Sequence, residues 1–260
     1  MDVQLLALLR VQRELLREPR GFGRFQSYLK TMIGGDGELG LPLAAFNPMS
    51  KEHVGKVLDT LLAMDAERIA EDALQESVAR LSCVEALRGM PVYRFGLVIA
   101  DDAQGGWTNR YLFEAKDRFE NRYGVRKGFI TALMWSSEEP NAGRIRQESA
   151  GAIFRTAWLW THGLPTTLGQ MLWQEGMVSR FAGVAPEQSM DETSEALLLE
   201  NMESSHYPTV MPCLYGDEVA ESLGYERIGM SERGGMRYAA SDKFLGDDDP
   251  VDVLRRGEQK

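Results

Sequence analysis

The fold is decided by the stretch Val92-Tyr93-Arg94-Phe95-Gly96-Leu97-Val98-Ile99-Ala100, a short apolar run rich in β-branched and aromatic residues. Such a run predicts a buried β-strand. It ends in a polar loop with two adjacent glycines, and a helical pattern follows from about Asn109 to Tyr123. A second apolar run, at residues 128–135, then predicts a second strand. This order of strand, helix and strand predicts two parallel strands joined by a crossover helix.

The polar loop after the first predicted strand is the candidate functional site. In a parallel sheet such a loop lies at the carboxyl edge of the strands, where ligands usually bind. The residues predicted to bind a ligand are Asp101, Asp102, Trp107, Thr108, Asn109 and Arg110.

Two opposite kinds of ligand fit this loop. Its glycines permit a close approach to the backbone, and the following helix N-terminus together with Arg110 favours an anionic group. Asp101 and Asp102 would repel an anion unless a divalent cation lay between them, and paired carboxylates are ligands of Mg²⁺. We therefore predict a polar or anionic ligand at residues 101–110, with Mg²⁺ held by Asp101 and Asp102 as one form of the site. The alternative is a surface turn in which the carboxylates accept backbone hydrogen bonds and Trp107 packs on the core.

Helical patterns dominate the rest of the chain. Helices are predicted at residues 2–19, 22–33, 50–87 with a restart at Asp65, 143–161, 167–182 and around 197–199. Ser50 is the predicted cap of the third of these helices. Beyond residue 205 the pattern shortens and predicts strands at 207–214 and 236–240, with a short helix between them.

These elements predict a helix-rich, mixed α/β fold in which several helices pack around a small central sheet. The sheet has at least two strands, near residues 92–100 and 128–135. We predict one compact domain over residues 1–245, mainly helical up to residue 90 and mixed α/β from residue 91. The acidic tail at residues 246–260 is predicted to be mobile.

The charge of the chain is concentrated in one segment. The chain has 39 acidic and 29 basic residues, a net charge of −10. Residues 181–226 contain ten acidic residues and no Lys or Arg, so the remaining charges balance. Binding to a nucleic-acid backbone needs concentrated basic charge, and this composition argues against such a partner. The acidic segment is typical of a solvated face, and the alternative is that residues 187–203 bind a basic protein partner.

The cysteines and the apolar runs indicate the compartment. Cys83 and Cys213 lie far apart in the sequence, which gives neither a disulfide framework nor a metal-ligand spacing. Both thiols are predicted to be buried, in a reducing cytoplasm. No apolar run approaches the roughly 18 residues that a membrane helix requires, so no membrane partner is predicted.

The segment Tyr215–Gly229 resembles the closing segment of the GNAT acyltransferases, in which a helix leads through a Leu-Gly-aromatic turn into a strand. Upstream, Arg180–Ala185 is similar to the family's Gln/Arg-x-x-Gly-x-Gly/Ala pattern, a loop whose amides hold the pyrophosphate of acetyl-CoA. The resemblance implies an acyltransferase with its cofactor at this loop. The chain departs from the family because the pattern closes a helical stretch, Pro186 follows it, and the acidic residues beyond would repel a polyanionic cofactor.

Three functional hypotheses follow. The leading one is a small-ligand-binding protein that uses the loop at residues 101–110. The second is a non-enzymatic interaction module that uses the acidic helix face at 187–203, and the third is a GNAT-like acyltransferase. No Ser, Cys or Thr stands in a nucleophile signature, and whether the protein is an enzyme is left open.

Overall fold

The computed structural model describes residues 1–34, 37–103, 109–186 and 190–257. It contains a three-stranded parallel sheet with strands β1 (Asp2–Leu5), β2 (Val92–Ala100) and β3 (Phe129–Trp135) in the order β1-β2-β3. Helices pack around this small sheet. The predicted helix-rich α/β fold and its two predicted strands are therefore confirmed.

Strand β2 is the centre of the sheet, and its residues from Phe95 to Ala100 are fully buried. Strand β3 pairs with it along residues 94–100, so that Ala100 lies opposite Trp135. Strands β2 and β3 run in the same direction, and in this register their last residues lie side by side. The residues that follow them, Asp101 and Ser136, are therefore delivered to the same edge of the sheet.

Strand β1 was missed by the sequence patterns, which extend a helix over residues 2–19. The segment Asp2–Leu5 pairs with Val92–Phe95, and the first helix, α1, covers Leu8–Arg17. A four-residue strand is too short for its alternation to stand out beside an adjoining amphipathic helix.

The remaining helices between β1 and β3, and the helix after β3, follow the predicted patterns closely. They are α2 (Phe22–Met32), α3 (Glu52–Ala63), α4 (Ala66–Leu81), α5 (Arg110–Phe119), α6 (Arg122–Arg126) and α7 (Ala142–His162), with a 3₁₀ turn at Glu85–Gly89. Asp65 separates α3 from α4 in a left-handed conformation with φ of 54°, at the predicted restart. The predicted cap is wrong, because Lys51 is the N-cap of α3 and Ser50 lies one residue before it.

In the described part of the chain after α7, the regular elements are all helices, joined by loops and turns. These are α8 (Leu168–Phe181), α9 (Glu192–Glu200), α10 (Tyr207–Tyr215), α11 (Asp217–Ser222), α12 (Gly234–Ala239), α13 (Asp242–Leu245) and α14 (Pro250–Gly257). The strands predicted at 207–214 and 236–240 are wrong, since α10 and α12 occupy these positions. Both runs are short and largely buried, so their apolar residues show no period that separates a strand from a helix.

The chain divides into two compact units. The first comprises Met1–Cys83 and Leu87–Thr156 and contains the sheet, while the second comprises Val84–Ala86 and Ala157–Lys260. The single compact domain predicted over residues 1–245 stays a prediction. The tail predicted to be mobile from residue 246 contains α14, whose Val253 and Leu254 are buried.

No helix in the described ranges combines the length and the apolar character needed to span a bilayer.

Candidate functional site

The centre of the candidate site is the carboxylate of Asp101, directly after β2. The residue is only 2% exposed. Its Oδ2 accepts a hydrogen bond from Asn47 Nδ2 at 2.8 Å, and its Oδ1 accepts one from Ser136 Oγ at 3.0 Å and lies 2.8 Å from His53 Nε2. The amide of Asn47 is oriented by its own turn, because Asn47 Oδ1 accepts from Met49 N at 2.9 Å. A buried carboxylate is tolerated here because donors surround it.

His53 contributes an imidazole from the first turn of α3. Its Nε2 faces Asp101, whereas its Nδ1 is buried and has no hydrogen-bond partner in the described part of the chain. An ionised Asp101 can only accept, so Nε2 carries the shared proton. In the neutral ring Nδ1 then presents a bare lone pair. The arrangement leaves one nitrogen fixed by a carboxylate and the other buried without a hydrogen-bond partner in the described chain.

Ser136 joins the two acidic residues that follow β2. Its hydroxyl lies 3.0 Å from Asp101 Oδ1 and 3.2 Å from Asp102 Oδ1, and it accepts from the backbone nitrogens of Asp102 and Ala103 at 3.2 and 3.3 Å. Asp102 also accepts from Ser137 N at 3.0 Å and Ser137 Oγ at 2.7 Å. The hydroxyl has a single proton, which the two carboxylates share. The end of β3 therefore holds both acids in place.

Arg110, at the start of α5, is neutralised by three carboxylates. Its guanidinium pairs with Glu114 at 3.0 Å, with Glu138, and with Asp102 at 3.5 Å, and it lies over the ring of Trp135. Burial lowers the pKa of Arg110, but attraction by Glu114 and Glu138 more than offsets this and raises it overall. The charge is committed to these partners, so an incoming anion would have to displace one of them.

The other predicted ligand-binding residues divide into two groups. Asn109 is the N-cap of α5, and its side-chain oxygen accepts from Leu112 N at 3.2 Å. Trp107 and Thr108 lie outside the described residues, so their predicted roles stay predictions. The structure thus brings Asp101, Asp102 and Arg110 together, with the Asp102–Arg110 pair as the direct contact.

The carboxylates of Asp101 and Asp102 are hydrogen-bonded on all four oxygens. A magnesium ion bound there would compete with these donors for the oxygen lone pairs. Within the ranges that the structure describes, no group of three or more His, Cys, Asp or Glu side chains has metal-binding geometry. The magnesium ion predicted at Asp101 and Asp102 stays a prediction.

Sequence reasoning missed Asn47, His53 and Ser136. For Ser136 a signal was present, because it directly follows the second predicted strand and parallel strands end at one edge. Asn47 and His53 lie 54 and 48 residues from Asp101 in sequence. No local pattern connects residues at such a separation, so only the tertiary fold shows this contact.

The acidic segment lies in the second unit, and part of its charge is paired. Glu195 forms an ion pair with Lys243, and Asp217 and Glu221 face Arg227. Asp191 is the N-cap of α9, where it accepts from Ser194 N at 2.9 Å. Glu187 lies outside the described residues. A basic partner for residues 187–203 stays a prediction.

The segments that resemble GNAT acyltransferases form helices and turns. Arg180 lies in the last turn of α8, where it donates to the carbonyls of Gly246 and Asp248 and pairs with Asp242 at 2.8 Å. The segment after α11 forms no strand in the described chain, although the family pattern implies one there. The acyltransferase function that the resemblance implies stays a prediction.

Comparison of the chain with protein-family models, with curated protein sequences and with solved structures finds no significant match in any of the three.

Proposed function

We propose that the protein binds a small polar ligand at the carboxyl edge of its sheet, with His53 and Asp101 as the central pair. The observation that carries the proposal is the buried Nδ1 of His53, which has no partner among the described residues while Nε2 faces a buried carboxylate. Buried polar atoms of a folded protein are normally hydrogen-bonded. The unpaired lone pair on Nδ1 of this oriented ring is therefore suited to accept a hydrogen bond from a ligand.

The charges around the pair favour a ligand that donates hydrogen bonds. Asp101, Asp102 and Glu138 lie at this edge, and Arg110 is already neutralised. These carboxylates would repel an anionic ligand, whereas a hydroxyl, amide or ammonium group can donate a hydrogen bond to Nδ1 of His53. We therefore favour a neutral or cationic ligand over the anionic one.

The pair also has the chemistry of a general base. A ligand hydroxyl bound at Nδ1 can pass its proton to the ring, and Asp101 stabilises the resulting imidazolium through Nε2–H. The same pair can act in binding alone. Proton transfer is the reaction that these residues would support if the protein is an enzyme.

The test follows the imidazole signals of the three histidines by nitrogen-detected NMR while polyols, sugars, amino acids and small amines are added. We expect a binding compound to shift the Nδ1 signal of His53 and to leave those of His162 and His206 unchanged. At about 100 times its dissociation constant it should also add about 2.7 kcal/mol of stability. His53→Gln should abolish this gain in stability, whereas the matched control His206→Gln should retain it. A compound that binds His53→Gln as tightly as the native protein would disprove the proposal.

We also propose a cytoplasmic location, on the state of the two thiols. Both cysteines are free, Cys83 exposed and Cys213 buried, so the predicted burial of Cys83 is wrong. Burial raises the pKa of Cys213 to about 11, which keeps that thiol protonated and unreactive. An exposed free thiol such as Cys83 is best maintained in a reducing compartment.

A further inference from the structure

We propose a second site, which binds a phosphate group, free or carried by a small molecule, in a cavity at the N-terminal end of α3. The cavity has a volume of about 610 Å³. It is lined by residues of α1, α2 and the first turns of α3, together with Arg20, Ser50 and Lys51. His53 and Asp101 are not among its lining residues, so this proposal is independent of the one at the sheet edge.

The cavity is basic although the chain is acidic. Its charged lining residues are the cations Arg13, Arg20, Arg24, Lys51 and Lys56 and the anions Glu52 and Asp59. This is a balance of five positive against two negative charges, in a chain with a net charge of −10. Arg13 and Asp59 neutralise each other, with Nε–Oδ1 at 2.6 Å and Nη2–Oδ2 at 3.1 Å. The other four cations form no ion pair within the described ranges.

Arg24 is a buried cation that forms no ion pair within contact distance in the described chain. It is 8% exposed, and its guanidinium donates only to the backbone carbonyls of Leu16, Glu18 and Pro48. These carbonyls satisfy its donors but bring no net charge. Burial, and then repulsion by Arg20, lower the pKa of Arg24 by more than attraction by Glu18 raises it. A bound anion would compensate a charge that is costly to bury alone.

The end of α3 supplies donors of the kind that hold phosphate. The N-cap residue Lys51 makes no side-chain cap, so the first N–H groups of this 12-residue helix are not capped by it. Ser50 is 4% exposed and lines the cavity, and its Oγ has no partner among the described residues. A helix N-terminus with free amides attracts an anion, and the unused hydroxyl adds a further donor.

Gly55 leaves room for a ligand against the helix. It lies inside α3 and lines the cavity, and a Cβ placed on it would meet no atom within 4 Å. A glycine inside a helix costs about 1 kcal/mol relative to alanine. The open space at this position lets a ligand approach the helix backbone closely.

The size of the cavity favours a small molecule. Its 610 Å³ lies within the roughly 300–1,000 Å³ of small-molecule sites. It exceeds what one phosphate ion fills, while the acidic charge of the whole chain disfavours an extended polyanion such as a nucleic acid.

The experiment measures binding of inorganic phosphate, pyrophosphate, glucose 6-phosphate and ATP by calorimetry and thermal shift in phosphate-free buffer. We expect at least one of these probes to bind. Gly55→Leu should occupy the space against α3 and weaken binding at least about tenfold, without loss of stability in the ligand-free protein, because leucine is the better helix former. Comparison of inorganic phosphate with the organic probes shows whether the phosphate group alone suffices.

The double variant Lys51→Gln with Lys56→Gln tests the charge, and Lys30→Gln, an exposed cation of α2 outside the cavity, is the matched control. The double variant should lose about tenfold in affinity and show a weaker salt dependence, while the control should bind as the native protein does. Weakening in either the glycine or the lysine variant supports the site. Absence of binding by all four probes at up to about 10 mM, or binding that both variants retain, overturns it.

Discussion

The two nitrogens of His53 have different surroundings, and this difference carries the functional proposal. Nε2 lies 2.8 Å from a buried carboxylate, and Nδ1 is buried without a partner in the described chain. A purely structural histidine in such a place would be expected to satisfy both nitrogens. Ser50 is similar, because its buried hydroxyl has no partner among the described residues and the neighbouring end of α3 lacks a side-chain cap.

At the residue scale, Glu67 of α4 hydrogen-bonds to the backbone of α1, and burial of its charged form costs stability. Its Oε1 accepts from Leu9 N at 2.9 Å, and burial raises the pKa of this carboxyl in spite of that bond. A raised pKa favours the protonated form in the folded state. The contribution of Glu67 to stability is therefore full below the unfolded pKa, about 4.3, and is lost as the pH rises through the folded pKa.

Glu67→Gln should accordingly stabilise the protein at pH 7, because the amide keeps an acceptor for Leu9 N and removes the buried charge. The gain should shrink towards zero near pH 4, where glutamate is itself protonated. Thermal unfolding between pH 4 and pH 8 measures this difference. Glu71→Gln, on an exposed position of α4, should show no such trend. A variant less stable than the native protein at pH 7 would contradict the assignment.

At the element scale, β2 is completed by a side chain where β1 ends. Strand β1 pairs with β2 only as far as Phe95, and beyond it Gln12 of α1 takes over. Gln12 is fully buried, donates to Leu97 O at 2.9 Å and accepts from Ile99 N at 2.8 Å. Its amide thus replaces a neighbouring strand for two backbone groups that have no access to water.

We expect Gln12→Met to destabilise the protein by about 2–4 kcal/mol, because two buried backbone groups lose their partners. Denaturant unfolding measures the change. Gln26→Met, on the exposed side of α2, should change stability by less than about 0.5 kcal/mol. Equal stability of the two variants would show that Gln12 does not serve the strand.

Gly96 sets how closely α1 packs on the middle of β2. A Cβ at this position would overlap the buried side chain of Leu8, which is 1% exposed. Gly96→Ala should cost about 1–3 kcal/mol through overpacking. The matched substitution Gly23→Ala in α2 meets open space and should be neutral or stabilising by up to about 1 kcal/mol. An unfolding midpoint of Gly96→Ala that is no lower than that of Gly23→Ala would contradict this packing.

At the scale of the whole molecule, α7 supplies residues to both compact units. It covers Ala142–His162, and the division between the units falls after Thr156. The single domain predicted from the sequence requires that the units unfold together. A continuous helix favours this, because separate unfolding of either unit would break it between two turns.

Gly235→Ala tests this cooperativity, because a Cβ on Gly235 of α12 would overlap the carbonyl of Cys213 in α10 and destabilise the second unit. If the chain unfolds as one domain, as we expect, the variant lowers the hydrogen-exchange protection of slowly exchanging amides in β2 as well as in α8. Loss of protection confined to residues 157–257 would instead mean that the units unfold independently.

Much of the fold follows from local pattern. The apolar runs at 92–100 and 129–135 determine two buried strands, because such runs have few other ways to leave water. The helices α2 to α5, α7 and α8 follow from their apolar spacing and from stops at glycine and proline. Local pattern fails at β1, α10 and α12, where the segments are short and neighbours outweigh intrinsic preference.

By itself the sequence determined that Asp101 and Asp102 would lie at the carboxyl edge of a parallel sheet, because the chain direction and the strand end are local properties. Only the tertiary structure decided what surrounds them. Asn47 and His53 reach Asp101 across about fifty residues of chain, and three carboxylates neutralise Arg110. Hydrogen bonds and ion pairs act through space over a few ångströms, so the partner of a buried charge depends on how the helices pack and not on its neighbours along the chain.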